Sequence, residues 1–373
     1  MNPRETYLDW NATAPLRPEA VAAMTAALAR CGNASSVHRW GRAAREAVEA
    51  ARDSVAALVG ADPNGVVFTS GGTEANHLPL LGARGRGRVL VSAVEHNSVL
   101  QAAPGAELIP VDRKGVVDLG ELDRLLAADA RPQAIVSVML ANNETGIVQP
   151  AADIARIAHR HGALFHCDAV QAAGKMPVAI ADLGADLVSL SAHKIGGPPG
   201  IGALVVVGDI DLAPLIRGGG QERGRRAGSE NLPGIAGFAA AAEAARAGVA
   251  EYDRVRALRD RLEAAALRAV PQAVVIGSDV PRLPNTSALA LPGVAAETQI
   301  IALDLAGVMV SAGAACSSGK VGPSHVLTAM GVPEEIASAT IRVSLGSTTT
   351  ADDIAHFLDA WTRLARRALR KAA

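Results

Sequence analysis

Short runs of β-branched and other apolar residues recur between Gly65 and Val207: Val66–Thr69, Arg88–Val91, Ala134–Val138, Ala163–His166, Leu187–Leu190 and Ala203–Val207. They are continuously apolar, not alternating, which is the pattern of strands buried on both faces. Helix-period segments such as Ile154–Arg160 separate them, so the region predicts a βαβ rhythm and an α/β domain around a mostly parallel sheet. From about Phe238 to Val270 a long charged-and-apolar helical stretch takes over. Shorter strand-like pieces follow around Val274, Ser287 and Val308, then a last helix from Asp352. That change of rhythm predicts a second, smaller α+β domain. Glycines cluster at Gly71–Gly72, Gly196–Gly200, Gly218–Gly220 and Gly313–Gly319, marking loops on which function is often built.

A chain of 373 residues favours two domains over one. Half apolar and one-fifth charged, it has the balance of a soluble globular protein. A net charge of −1 without Lys/Arg blocks argues against a nucleic-acid or anionic-membrane surface, so a small soluble partner is expected. Met1–Trp10 carries Arg4, Glu5 and Asp9 and lacks the apolar core of a secretory signal. No stretch reaches the roughly 18 apolar residues of a membrane span, since charges such as Glu243 and Arg246 interrupt even the Ala-rich regions. The expected location is cytoplasmic. The cysteines, Cys31, Cys167 and Cys316, are odd in number and lack metal-ligand spacing, which indicates neither a disulfide framework nor a zinc site.

Candidate chemistry gathers where strands end. Ser191-Ala192-His193-Lys194 follows the run Leu187–Leu190. A lysine buried there can hold an aldehyde cofactor as a Schiff base; otherwise it is a solvated surface lysine. Asp168 ends Ala163–Cys167, where a carboxylate can pair with a protonated pyridine nitrogen or cap the next helical turn. Gln171 can reach a ring oxygen or complete a capping box. Thr69–Asn76, with Gly72 and Thr73, is a small-residue turn between strand and helix suited to an anion, and it matches neither the Walker loop nor the dinucleotide fingerprint. His96 can stack on a ring or move protons, and Asn143 offers an amide or forms an Asx-type turn. Cys316 lies in the small-residue stretch Ser311–Lys320, a setting for an accessible nucleophilic thiol, whereas Cys167 lies within an apolar run. Arg342, in the strand-like Ile341–Gly346, has the planar fork for a substrate carboxylate or a surface salt bridge.

In this order the segments resemble the group I cysteine desulfurases of the class V aminotransferase superfamily, pyridoxal 5′-phosphate (PLP) enzymes of fold type I. The resemblance runs from Tyr7–Thr13 through Gly32–His38, Phe68–Asn76, Asn142–Gly146, His166–Gly174, Ser191–Gly202 and Gly218–Ser229 to Ser311–Gly331 and Ile341–Gly346. It implies a large PLP-binding domain with a seven-stranded type of sheet, residues 14–250, and a small domain from both chain ends, residues 1–13 and 251–373. It implies that Lys194 is the Schiff-base lysine and Asp168 the partner of the pyridine nitrogen. Gln171 and Asn143 would contact the ring oxygen, and His96 would stack on the ring. Gly72, Thr73, Ser191 and His193 would hold the phosphate, joined by Ser229 from the second subunit of a homodimer. Arg342, with Asn143 nearby, would take the carboxylate of L-cysteine, and Cys316 would carry the sulfur as a persulfide, releasing alanine. A sulfur-acceptor protein, such as an iron–sulfur scaffold or a tRNA-thiolation partner, would receive it.

Three positions depart from the usual pattern: Ser229 for Thr, Ser347 where an Arg often stands, and Gly322 where an acidic residue is common. The first keeps its hydroxyl, and the others touch surface contacts and loop behaviour, not the reaction. The rival readings are another class V PLP reaction, either selenocysteine lysis, which substrate profiling separates, or transamination, which the cysteine-bearing segment disfavours, and a catalytically idle scaffold, disfavoured by intact Lys194, Asp168 and Cys316.

Overall fold

The computed structural model describes residues 5–83, 87–128, 134–313 and 324–372, without the side chains of 369–372. Cys316, Lys320 and Gly322 lie outside the described residues. The strands are β1 (Thr6–Tyr7), β2 (Val66–Thr69), β3 (Val89–Ser92), β4 (Glu107–Ile109), β5 (Ile135–Ser137), β6 (Leu164–Asp168), β7 (Leu187–Ser191), β8 (Gly202–Val206), β9 (Val274–Ile276), β10 (Thr286–Ala290), β11 (Val308–Met309), β12 (Ser311–Ala312) and β13 (Thr340–Ser344).

Seven of them form one sheet in the order β2-β8-β7-β6-β5-β3-β4. Strands β4, β3, β5, β6 and β7 run parallel, while β8 is antiparallel to both β2 and β7. The fold is therefore α/β with a mostly parallel central sheet. Alternate strand residues feed separate cores. Val66, Phe68, Val188, Leu190 and Val205 pack against Val48 and Val55 of the helix Arg39–Val59, Ile154 of Ala151–Arg160 and Phe238 of Leu232–Ala247. Val67, Leu187, Leu204 and Val206 pack on the opposite face against Ala75 and Leu78 of the helix Gly72–Gly82. Apolar residues on both faces thus produce the continuous runs read from the sequence. Centrally, the buried His166 ring spans β5 to β7, with Nδ1 2.8 Å from Ser137 Oγ and Nε2 2.8 Å from Ser189 Oγ. Burial drives its pKa down to about 3, so it is a neutral structural group.

A second assembly joins the two ends of the chain. Strands β12-β13-β10-β9 form an antiparallel sheet, and β1 pairs in parallel with β11. Leu8 shares a core with Leu289, Ile341, Val343, Leu262 of the helix Tyr252–Ala269, and Phe357 and Trp361 of the helix Ala351–Ala372. Trp10 then lies flat against Gly346, where a Cβ would sit 1.9 Å from the indole. This packing holds residues 9–13 between the two sheets' chemistry.

Three details differ from the sequence reading. Strand β4 was not expected: it is a three-residue edge strand with Leu108 58 % exposed, too short and too polar to register as a buried run. The expected stretch Phe238–Val270 is two helices, Leu232–Ala247 and Tyr252–Ala269, broken at Gly248. The piece at Val308 is only two residues long, stabilised by the N-terminal strand and invisible to local pattern. Among the described residues no helix is long and apolar enough to cross a membrane, and no group of three or more His, Cys, Asp or Glu side chains could hold a metal ion.

Candidate active site

In open α/β sheets, ligand crevices lie beyond the carboxyl ends of the parallel strands. Asp168 ends β6 and Ser191 ends β7, with Lys194 in the short 3₁₀ turn that follows. The Lys194 amine donates to the main-chain carbonyls of Asn11, 2.6 Å, and Ala12, 2.8 Å. It is mostly buried; desolvation and the Arg342 guanidinium lower its pKa to about 8 against the pull of Asp9 and Asp168. The surface-lysine reading is thereby excluded, and the amine sheds its proton far more readily than an ordinary lysine.

Asp168 is 6 % exposed and doubly held. Its Oδ2 accepts from Asn76 Nδ2 at 2.7 Å and its Oδ1 from the Val170 amide at 2.9 Å. It therefore caps the local turn and presents a carboxylate to the crevice at once. Gln171 does not complete a capping box: its Nε2 donates to the Asn11 carbonyl at 2.9 Å, and its Oε1 accepts from Lys175 at 2.6 Å. His96 caps the short helix Asn97–Leu100, its Nδ1 accepting the Ser98 amide at 3.1 Å, so the neutral ring carries its proton on Nε2. Burial, with Lys194 and His325 nearby, lowers its pKa against the pull of Asp168.

The helix Gly72–Gly82 begins beside the end of β7. A Cβ on Gly72 would lie 3.1 Å from Val170 Cγ2 and 3.3 Å from Ser191 Cβ. The first-turn amides of such a helix lack intrahelical acceptors, a setting that suits an anion; the exposed Thr73 lies in this turn and Ser191 beside it. His193 Nδ1 lies 3.2 Å from Thr13 Oγ1; burial, Lys194 and Lys175 push its pKa down to about 4. Ser229 lies near the start of the helix Gly72–Gly82, through the residues Thr69 and Ser70 that precede it. It is exposed and lines a surface cavity of about 190 Å3 with Phe68, Thr69, Ser70 and Arg226. A larger cavity of about 610 Å3, between Gly60–Gly65 and Val205–Gly208, holds none of these residues.

Arg342 lies in β13 and is 5 % exposed, which rules out a surface salt bridge. Its Nη2 donates to Asp9 Oδ1 at 2.8 Å and its Nη1 to the Asn143 carbonyl at 3.1 Å, while Nε is buried without a partner. The Asx-type turn belongs to Asn142, whose Oδ1 accepts from Glu144 N, Thr145 N and Thr145 Oγ1. That leaves the Asn143 side chain outside the turn's own bonding. Cys167 is fully buried, and burial raises its thiol pKa well above the ordinary range; Cys31 is exposed.

Sequence reasoning missed the residues that organise this group. Asn11 ties the site together: its carbonyl serves Lys194 and Gln171, its Oδ1 accepts from Lys175 and Asn285, and its Nδ2 donates to the Asn143 carbonyl and Thr286 Oγ1. Glu144 is 4 % exposed and accepts from Ser324 Oγ at 2.5 Å; a Cβ on Gly313 would sit 2.7 Å from the same Glu144 oxygen. The one local signal was polarity within otherwise small or apolar segments, as at Asn76 and Lys175.

Residues 6–357 match the aminotransferase class-V family. The chain is 47 % identical over 367 residues to a cysteine desulfurase of Cereibacter sphaeroides, covering 95 % of this chain and 94 % of the relative. It is 41 % identical over 376 residues to the cysteine desulfurase IscS of Dictyoglomus turgidum, with 97 % and 94 % covered. The crystal structure of a NifS-like protein from Rickettsia africae superposes with a TM-score of 0.91 at 36 % identity, covering 97 % of this chain and all of that one. The chain belongs to the class-V aminotransferase family, among its cysteine desulfurases.

Proposed function

We propose that this enzyme converts L-cysteine to L-alanine with PLP held on Lys194, taking the sulfur as a persulfide on Cys316. The observation that carries the reading is the mostly buried Lys194 amine, its pKa lowered to about 8, in the same crevice as the Asn76-oriented carboxylate of Asp168. The donor set fits the cofactor: a neutral amine for the aldehyde, a carboxylate for the pyridine nitrogen, a helix N-terminus with Gly72, Thr73, Ser191 and His193 for the phosphate, and Gln171 and Asn143 for the ring oxygen. When bound, PLP supplies the electron sink that lets the substrate Cα lose its proton.

The protein's own groups divide the remaining work. Arg342, with a buried and unpartnered Nε, binds the substrate carboxylate. Lys194 Nζ takes and returns the proton at the substrate carbon, and His96, protonated on Nε2, stacks on the ring and shuttles protons. The Cys316 thiolate attacks the substrate sulfur; the new sulfur–sulfur bond forms as the substrate Cβ–S bond breaks, and alanine leaves. The persulfide then passes to an acceptor protein of iron–sulfur assembly, for which the IscS name of the Dictyoglomus relative is the support. Ser229 is exposed, and its proposed role is in the partner's phosphate site within a homodimer. Residues 14–250 act as the cofactor domain, and 1–13 with 251–373 as the small domain; the separate core around Leu8, Leu289 and Trp361 supports that division. The desulfurase names of the relatives favour this substrate over selenocysteine. The proposed location is the cytoplasm.

The test is an absorbance spectrum of the purified protein with PLP before and after L-cysteine, with sulfide and alanine assayed together. A visible band that shifts with both products formed is expected, and Cys316→Ser should keep the band and lose the persulfide. A band without alanine would overturn the substrate, and no band would overturn the cofactor.

A further inference from the structure

Lys175 is 2 % exposed, follows Gln171 by four residues, and has no carboxylate among its hydrogen-bond partners. Its Nζ meets two side-chain carbonyl oxygens, Gln171 Oε1 at 2.6 Å and Asn11 Oδ1 at 3.0 Å. Those two bonds decide the orientation of both amides. A flipped Gln171 would set its NH2 against the Lys175 N–H groups and its carbonyl against the Asn11 carbonyl oxygen, losing both bonds at once. In the orientation present, Gln171 Nε2 gives one N–H to Asn11 and keeps its second N–H for another acceptor. Asn11 is fixed likewise, since Lys175 and Asn285 occupy its Oδ1 and turn its Nδ2 toward the Asn143 carbonyl and Thr286.

We propose that Lys175 is a positioning residue: it locks the Gln171 amide so that the site meets an N–H and never a carbonyl, and it holds Asn11 as the resting acceptor for Lys194. The first half rests on the reading of Gln171 as a cofactor contact. Lys175 suits this task because its N–H groups meet two carbonyl acceptors, while the Asn11 carbonyl, which can only accept, holds the amide from the other side. Burial pushes Lys175 well below the ordinary lysine value, and the nearby cations of Lys194 and Arg342 push the same way. The other charged groups around Lys194 are Asp9 and Asp168, with His193 adjacent in sequence.

The test compares Lys175→Met, Gln171→Leu and the double variant by two readouts. With PLP added, the pH midpoint of the visible band reports whether an N–H reaches the ring oxygen. Losing that donor destabilises the oxyanion, so each single variant should shift the midpoint upward, and the double variant should shift it no further than either alone. A Lys175→Met midpoint equal to that of the unsubstituted protein, with Gln171→Leu shifted, would overturn the proposal. The second readout needs no cofactor. The chain has five lysines, Lys114, Lys175, Lys194, Lys320 and Lys371, so a spectrum of protein labelled at lysine 13Cε is sparse. One signal should titrate below the ordinary lysine range and move in Gln171→Leu, which identifies it even if Lys175→Met fails to fold. No lysine signal responding to Gln171→Leu would refute the role. Absence of the visible band in every variant would sink the cofactor reading alone, and the NMR result would still decide Lys175.

Discussion

Lys194 should make the cofactor-free protein less stable at neutral pH, and its replacement should reveal by how much. In the unfolded chain the amine holds its proton up to about pH 10.5; in the folded protein it holds it only up to about 8. Between those values the unfolded state binds more protons, so stability contributed by this group rises with pH across the window. Below pH 8 the full penalty applies, about 3 kcal/mol at roughly 1.36 kcal/mol per pH unit. Above pH 10.5 it vanishes. Lys194→Met removes the penalty and also two hydrogen bonds. The Asn11 carbonyl keeps its bond from Gln171, whereas the Ala12 carbonyl loses its Lys194 donor, a cost of about 1 kcal/mol. The variant should therefore be more stable than the parent by about 2 kcal/mol at pH 7 and less stable by about 1 kcal/mol at pH 11. Urea unfolding of cofactor-free protein at the two pH values measures this, because contributions from groups that do not interact with Lys194 cancel in the difference between variants. A variant destabilised equally at both pH values would refute the argument and show that Lys194 ionises as an ordinary lysine.

Three further outcomes follow from the same geometry. Asn76→Leu removes the donor to Asp168 Oδ2 and should weaken PLP retention by roughly tenfold, a loss of about 1.5 kcal/mol for a hydrogen bond to a charged group, measured by dialysis and fluorescence. Burial raises the Glu144 pKa above 4.5, so the folded state binds the extra proton and stability from this group falls as pH rises through that value; Glu144→Gln should melt higher than the parent at pH 8, and the difference should disappear below pH 4.5 in a calorimetric series. Gly346→Ala would drive a methyl group into the Trp10 indole, and the protein should lose about 3 kcal/mol or fail to accumulate folded, while Gly60→Ala, with no atom within 4 Å of the new methyl, should lose only the smaller cost of its left-handed backbone, by thermal melting of both variants.

The sequence carried the fold where burial is two-sided: β2, β5, β7 and β8 are apolar at nearly every position because both faces are packed, and such runs announce themselves locally. It carried Lys194 and Asp168 for a related reason, since both stand at or just after the carboxyl end of an apolar strand, where crevices form. Asn11 sent no such signal. It lies in a polar stretch with no period, and each partner that gives it meaning is distant in the chain: Gln171 by 160 residues, Lys175 by 164, Asn285 by 274. Those contacts exist because β1 pairs with β11 and Trp10 packs on Gly346, two long-range events that draw residues 9–13 across the crevice. Side chains that would touch ligand are legible because their chemistry is unusual for their local setting. Side chains that orient them, such as Asn11, Asn76 and Lys175, are chemically ordinary, and only closure of the two sheets around one another turns them into a site. For this reason substitutions at Lys175 should be read by amide orientation and titration, since loss of turnover alone cannot separate an orienting residue from one that fills space.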